Sequence, residues 1–108
     1  MYKKRGTVKS VRNENFTTKN GEEVKKMLFT IEEATDFRNI YQFELIGEPS
    51  INLNEKHIKQ DRIVNVEFYI RANEWKDRFF NTLIAKEVLP EDPLEIYKNE
   101  ENNEDVPF

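Results

Sequence analysis

The sequence predicts an all-β protein in which five strands close into a small barrel, with a short helical insert between the third and fourth. Three observations carry that expectation. Apolar and polar residues alternate at a period of two over several runs, the spacing of strands with one buried face. Turn chemistry separates the runs, and Asn20-Gly21 is its strongest dipeptide. Among 108 residues there are eight Phe, four Tyr and one Trp, too many aromatics for a chain without a core, even with 35% charged residues.

The first strand is expected over residues 5–12, where Gly6 marks a bulge or a sharp bend. Residues 13–23, rich in Asn, Thr, Lys and Glu, read as a loop. Residues 24–33 place Met27, Phe29 and Ile31 on one face, with Lys26, Leu28, Thr30 and Glu32 on the other. A turn at 36–39 leads into a third strand over 40–46, where Tyr41, Phe43 and Leu45 alternate with Gln42 and Glu44. Residues 48–62 break the alternation, and 49–59 within them suit a short helix or helical turn plugging the barrel end. Alternation returns over 63–70, with Val64, Val66, Phe68 and Ile70 on one face. Residues 71–78 read as a polar turn and 79–88 as the fifth strand, which Pro90 and Pro93 bring to an end because neither donates a backbone N–H. Five strands with a helix between the third and fourth outline an OB-fold Greek-key barrel, partly open, which binds oligonucleotides across strands two and three and the flanking loops. The predicted division is a barrel domain over 1–89 and an acidic tail over 90–108.

Charge supports a nucleic-acid partner once it is divided along the chain. The net value is −4, but residues 90–108 hold seven acids and one base, leaving the first 89 residues net basic. Residues 1–30 alone carry eight bases against three acids.

Several chemistries are excluded or disfavoured. With no cysteine there is no disulfide scaffold, thiolate metal site or cysteine nucleophile. The single histidine, His57, reads as a surface or rim residue and cannot make a multi-histidine metal centre. Three glycines form no phosphate-cradling loop, and the acids show no metal or glycosidase spacing. The expectation is no enzyme, no metal and no cofactor. No apolar run approaches the about 18 residues of a membrane span, and no signal peptide follows the basic start, so the expectation is a soluble intracellular protein without a membrane partner.

The candidate binding residues interleave aromatics with cations, as single-strand binding requires: each base offers a ring face and each phosphate attracts a cation. Trp75, the only tryptophan, lies in the most polar stretch between Arg71 and Arg78 with Lys76 beside it, and Phe80 and Tyr69 extend the same surface. Trp75 either stacks on a base or packs against Phe79 or the barrel rim. Phe16 either stacks on a base or folds back over the barrel rim. Lys19 and Lys26 are phosphate partners or plain solvated lysines, and Lys26 lies on the outward face by parity. The tail reads as a disordered acidic spacer ending in Asp105-Val106-Pro107-Phe108, a hydrophobic tip fit to drop a ring into an apolar pocket with a basic rim.

The ending Glu104-Asp105-Val106-Pro107-Phe108 resembles the acidic tip, typically Asp-Asp-Ile-Pro-Phe, of bacterial and phage single-stranded DNA-binding proteins. Thr18-Lys19-Asn20-Gly21 resembles that family's first loop, and Asp77-Arg78-Phe79-Phe80-Asn81-Thr82-Leu83-Ile84-Ala85 its fifth strand. The resemblance implies non-specific single-stranded DNA binding and a role in DNA replication, recombination and repair. It also implies recruitment of replication and repair proteins through the tip, and a cytoplasmic place, nucleoid-associated or in a host cell if phage-encoded. The chain departs from the family in its short spacer and in lacking an Asn-x-Val-x-Leu-x-Gly opening, which leaves monomer, dimer and tetramer open. Two other readings stand beside it. The acids Glu32, Glu44 and Glu67, which parity allows on the binding face, suit an OB-type protein-binding adaptor, and the same stacking surface would serve RNA.

Overall fold

The computed structural model describes residues 1–35 and 38–91. Its elements run β1 (Tyr2–Thr17), β2 (Glu23–Glu32), β3 (Ile40–Ile46), α1 (Glu48–Asn54) with a 3-10 turn (Glu55–His57), β4 (Ile63–Trp75) and β5 (Arg78–Pro90). The strands close in the order β1-β2-β3-β5-β4, and all neighbours are antiparallel except β3 and β5. This is the expected OB-fold barrel, with the helical insert where the sequence places it. The barrel is closed rather than partly open, although the β3–β5 seam is only two residue pairs long, Phe43 with Leu83 and Glu44 with Ile84.

Closure depends on the path of β1. Its first part, Tyr2 to Thr7, pairs with β4, and its second part, Thr7 to Thr17, pairs with β2. The strand therefore turns a corner near Gly6, where a Cβ would stand 2.8 Å from the Glu32 carbonyl oxygen. A shift of register between Val8 and Ser10 completes the corner. Gly6 is there for close approach of two backbones, as a bend in a small barrel demands.

The inward-facing residues are those whose alternation the sequence shows. Val8, Phe29, Ile31, Phe43, Leu45, Val64, Val66 and Val88 are wholly buried, each contributing about 1.5–3 kcal/mol of transfer free energy if a large aliphatic or aromatic. Phe43 stands at the centre, stacked on Phe29 with centroids 5.4 Å apart and edge-on to Phe68 at 5.0 Å. Ile51 and Ile58 close the barrel end from the insert. Gly47, at φ +92°, makes the turn out of β3, and Pro49 lies in the first turn of α1, where a missing N–H costs nothing.

Two expected loops are strands. Residues 13–17 continue β1, with Phe16 opposite Val24, and residues 71–75 continue β4. The hairpins thus extend beyond the barrel, where both faces meet solvent. A two-sided polar ribbon has no buried face, hence no apolar period to read. For the same reason Ile70, in phase with Val64, Val66 and Phe68, is half-exposed. The β1–β2 turn does fall at Asn20-Gly21, with Gly21 at φ +83° and its N–H donated to the Thr18 carbonyl at 3.0 Å.

Candidate nucleic-acid interface

The long β4–β5 hairpin determines which side chains share a face. Tyr69 stands opposite Ile84, Arg71 opposite Thr82, Asn73 opposite Phe80, and Trp75 opposite Arg78. Side chains of directly paired residues point the same way, so Tyr69, Arg71, Trp75, Arg78 and Phe80 form one ladder along the outward face. Phe79, opposite Glu74, belongs to the reverse face, so Trp75 does not pack on it; Trp75 is 62% exposed. The turn is the two residues Lys76 and Asp77, at φ +50° and +62°, the left-handed pair that a type I′ hairpin turn uses. Lys76 Nζ sits 4.5 Å from the centre of the Trp75 ring and covers one of its faces.

That ladder runs into a cleft of about 210 Å³ lined by Phe16 from β1, Lys26 from β2, Glu44 and Ile46 from β3, and Arg71, Asn73, Thr82 and Ile84 from the second hairpin. Three residues named from the sequence, Phe16, Lys26 and Arg71, therefore meet in one place although 55 positions separate the outer two in the sequence. Lys19 and Lys76 lie instead at the two hairpin tips, outside the cleft. The tip residues Asp105, Val106, Pro107 and Phe108, and the tail from residue 92 onward, lie outside the described residues. β5 itself reaches Pro90, and the Glu91 N–H is donated to the Ile63 carbonyl at 2.8 Å.

The electrostatics of the cleft floor differ from those of a plain basic groove. Lys26 is ion-paired with Glu44 through Oε1, and the Phe16 ring lies 5.9 Å from the same ammonium. Glu44 is only 8% exposed although it points away from the barrel interior, as do buried Leu28 and Ile84. The outward face thus carries its own small apolar patch around one carboxylate. Of the three acids that parity allows on this face, Glu44 alone lines the cleft. Glu32 is engaged by Arg38 at 2.8 Å and by Lys9 at 3.9 Å, and the Arg38 guanidinium holds its carboxyl below the ordinary range.

Sequence reasoning missed Lys86, whose ammonium lies 5.5 Å from the Tyr69 ring. A register shift between Glu67 and Phe68 leaves Lys86 unpaired with β4, and that bulge has no apolar signature. It also missed Ile46, Asn73, Thr82 and Ile84 as lining, which only the hairpin register reveals. His57 is half-buried in the 3-10 turn, away from the cleft, and no group of three or more His, Asp or Glu among the described residues is placed to hold a metal. Among the same residues no helix is long and apolar enough to cross a membrane.

No protein-family model and no curated protein matches the chain. Among solved structures it is similar to a mitochondrial single-stranded DNA binding protein of S. cerevisiae, Rim1, with a TM-score of 0.62 and 19% identity over 84% of this chain and 96% of that one. At that identity the likeness is one of fold.

Proposed function

We propose that the chain binds single-stranded DNA along the outward face of the β4–β5 hairpin and into the cleft beside it. One observation carries this reading: Tyr69, Arg71, Trp75, Arg78 and Phe80, aromatics and cations in alternation, stand in register on one face and lead into the cleft that holds Phe16 and Lys26. Bases stack on the rings, phosphates lie at the guanidinium groups, and no bond is made or broken. The yeast mitochondrial protein of the same fold is named for that ligand. Stacking and phosphate contacts carry little sequence information, so binding is largely non-specific, and its place is in replication, recombination and repair in the cytoplasm, of a host if phage-encoded. The Asp105-Val106-Pro107-Phe108 tip recruits protein partners, and the acids before it compete with DNA for the cations.

Titration of Trp75 fluorescence with oligo-dT at several salt concentrations tests the reading. The expected result is quenching, with log K falling against log[salt] by about 0.7 for each phosphate contacted. Removal of residues 92–108 is expected to tighten binding or leave it unchanged. A Trp75 signal indifferent to oligonucleotide, with and without those residues, sinks the proposal. It would favour an OB-type protein adaptor, the reading that the neutralised Lys26 and buried Glu44 also support.

A further inference from the structure

The floor of the cleft combines three features that do not suit a phosphate. Its cation, Lys26, is cancelled by Glu44. Its carboxylate is nearly buried and paired with Lys26, so the floor offers an incoming anion no net positive charge. Its walls include Phe16, Ile46 and Ile84, a ring and two aliphatic side chains. Arg71 also lines this cleft, along with neutral Asn73 and Thr82, and makes no ion pair with a described residue. Charge orients a nucleotide here, with its phosphate at Arg71 and its base beside Phe16, Ile46 and Ile84. The base edge then reaches Glu44, whose Oε1 is paired with Lys26 and whose carboxylate has further acceptor positions. An ionised carboxylate can only accept hydrogen bonds.

We propose that Glu44 makes this slot a base-reading site, favouring a nucleobase that presents an exocyclic amino group over one that does not. The inference rests on the face binding single-stranded DNA, and it adds a local preference to contacts otherwise indifferent to sequence. Cytosine and adenine carry an amino donor on the edge opposite the sugar, whereas thymine carries a carbonyl there, which would set two acceptors against each other. A polar group left unpaired in a nearly buried place is costly, so the wrong base is disfavoured more than the right one is favoured. Lys26 orients the carboxylate within the slot, acting through Glu44 rather than on the base.

The test deletes the donor without adding bulk. The unaltered protein is titrated with oligo-dC and with the same oligomer containing 2-pyrimidinone, which is cytosine without its 4-amino group. The expected result is binding about fivefold weaker for the pyrimidinone oligomer, and a Glu44→Gln variant in which that ratio shrinks toward one. Equal affinity of the unaltered protein for both oligomers overturns the proposal, and needs no variant that must fold. An undiminished ratio in Glu44→Gln overturns it too, because the amino group would then be read elsewhere. Failure of the protein to bind any oligomer is a different result: it removes the single-strand reading itself and this inference with it.

Discussion

Asn54, the last residue of α1, accepts a hydrogen bond from the backbone N–H of Val88 in β5 at 2.9 Å, and its own side-chain amide is donated to the Ser50 carbonyl at 2.9 Å. Both residues are almost wholly buried. β3 pairs with β5 only at Leu83 and Ile84, so the edge of β5 beyond them would otherwise present unpaired backbone groups to the core. The helical insert thus replaces, with one side chain, the strand that β3 is too short to supply.

Asn54→Ala should therefore cost about 1–3 kcal/mol, since it leaves a buried N–H without a partner as well as a small void. Asn54→Leu should be no better, despite its greater apolar volume, because the orphaned donor remains. Urea unfolding followed by far-UV circular dichroism measures both. A change in midpoint within error of zero for either variant would show that water reaches Val88 and that the insert does not seal the edge.

Trp75 and Phe79 are both highly exposed aromatics four residues apart, yet they stand on opposite faces of one ribbon. Exposure alone would rank Phe79, at 77%, as the better stacking residue. The register ranks Trp75 instead. Trp75→Ala should weaken oligonucleotide binding by about 1–3 kcal/mol, the worth of one base–aromatic stack, while Phe79→Ala should leave Kd within about twofold. Neither should move the midpoint of unfolding by much, since neither ring is in the core. Anisotropy with a labelled oligo-dT gives the comparison without depending on the tryptophan, and a Phe79 effect as large as that of Trp75 would place the interface on the wrong side.

The Glu32–Arg38 pair gives a pH dependence with a definite sign. The guanidinium's hydrogen bond lowers the Glu32 pKa from its ordinary value near 4.5, with some opposition from desolvation. A carboxyl whose folded pKa is depressed stabilises the fold above its unfolded pKa and loses that contribution as pH falls through the folded value. The difference in stability between the unaltered protein and Arg38→Ala should be steady through neutral pH and close as pH drops through the carboxylate range. Salt should shrink it at every pH, because the Arg38 side chain is exposed. A gap that widened on acidification would mean that Arg38 acts through something other than Glu32.

Legibility in the sequence followed burial. Where a strand has one face in the core, as Phe29, Ile31, Phe43, Leu45, Val64 and Val66 do, alternation gave its position and parity, and with them the OB order of elements. Parity also put Lys26 and Glu44 on the outward face, but not their pairing, because a diagonal contact between β2 and β3 depends on register. The hairpin arms were illegible for the same reason: Asn13, Asn15 and Asn73 sit in strands with no buried face. Trp75 and Arg78 stood out by residue type, but their shared face needed a turn at Lys76-Asp77, a pair that carries no Gly or Asn to announce it.

That turn is itself a point of strain, since two L-residues occupy a left-handed conformation that disfavours a Cβ. Asp tolerates it better than most, and Lys poorly. Asp77→Gly should relieve part of the cost and raise stability by about 0.5–1 kcal/mol, despite the greater entropy of glycine in the unfolded chain. Lys76→Asn should also stabilise the turn, but it removes the ammonium over the Trp75 ring, so the two substitutions separate fold from site. Asp77→Gly should leave oligonucleotide affinity close to the starting value, whereas Lys76→Asn should raise the unfolding midpoint while shifting the Trp75 emission and reducing the salt slope. Thermal unfolding and the salt series together measure this, and a fall in stability with Asp77→Gly would mean that the Asp77 side chain itself holds the hairpin closed.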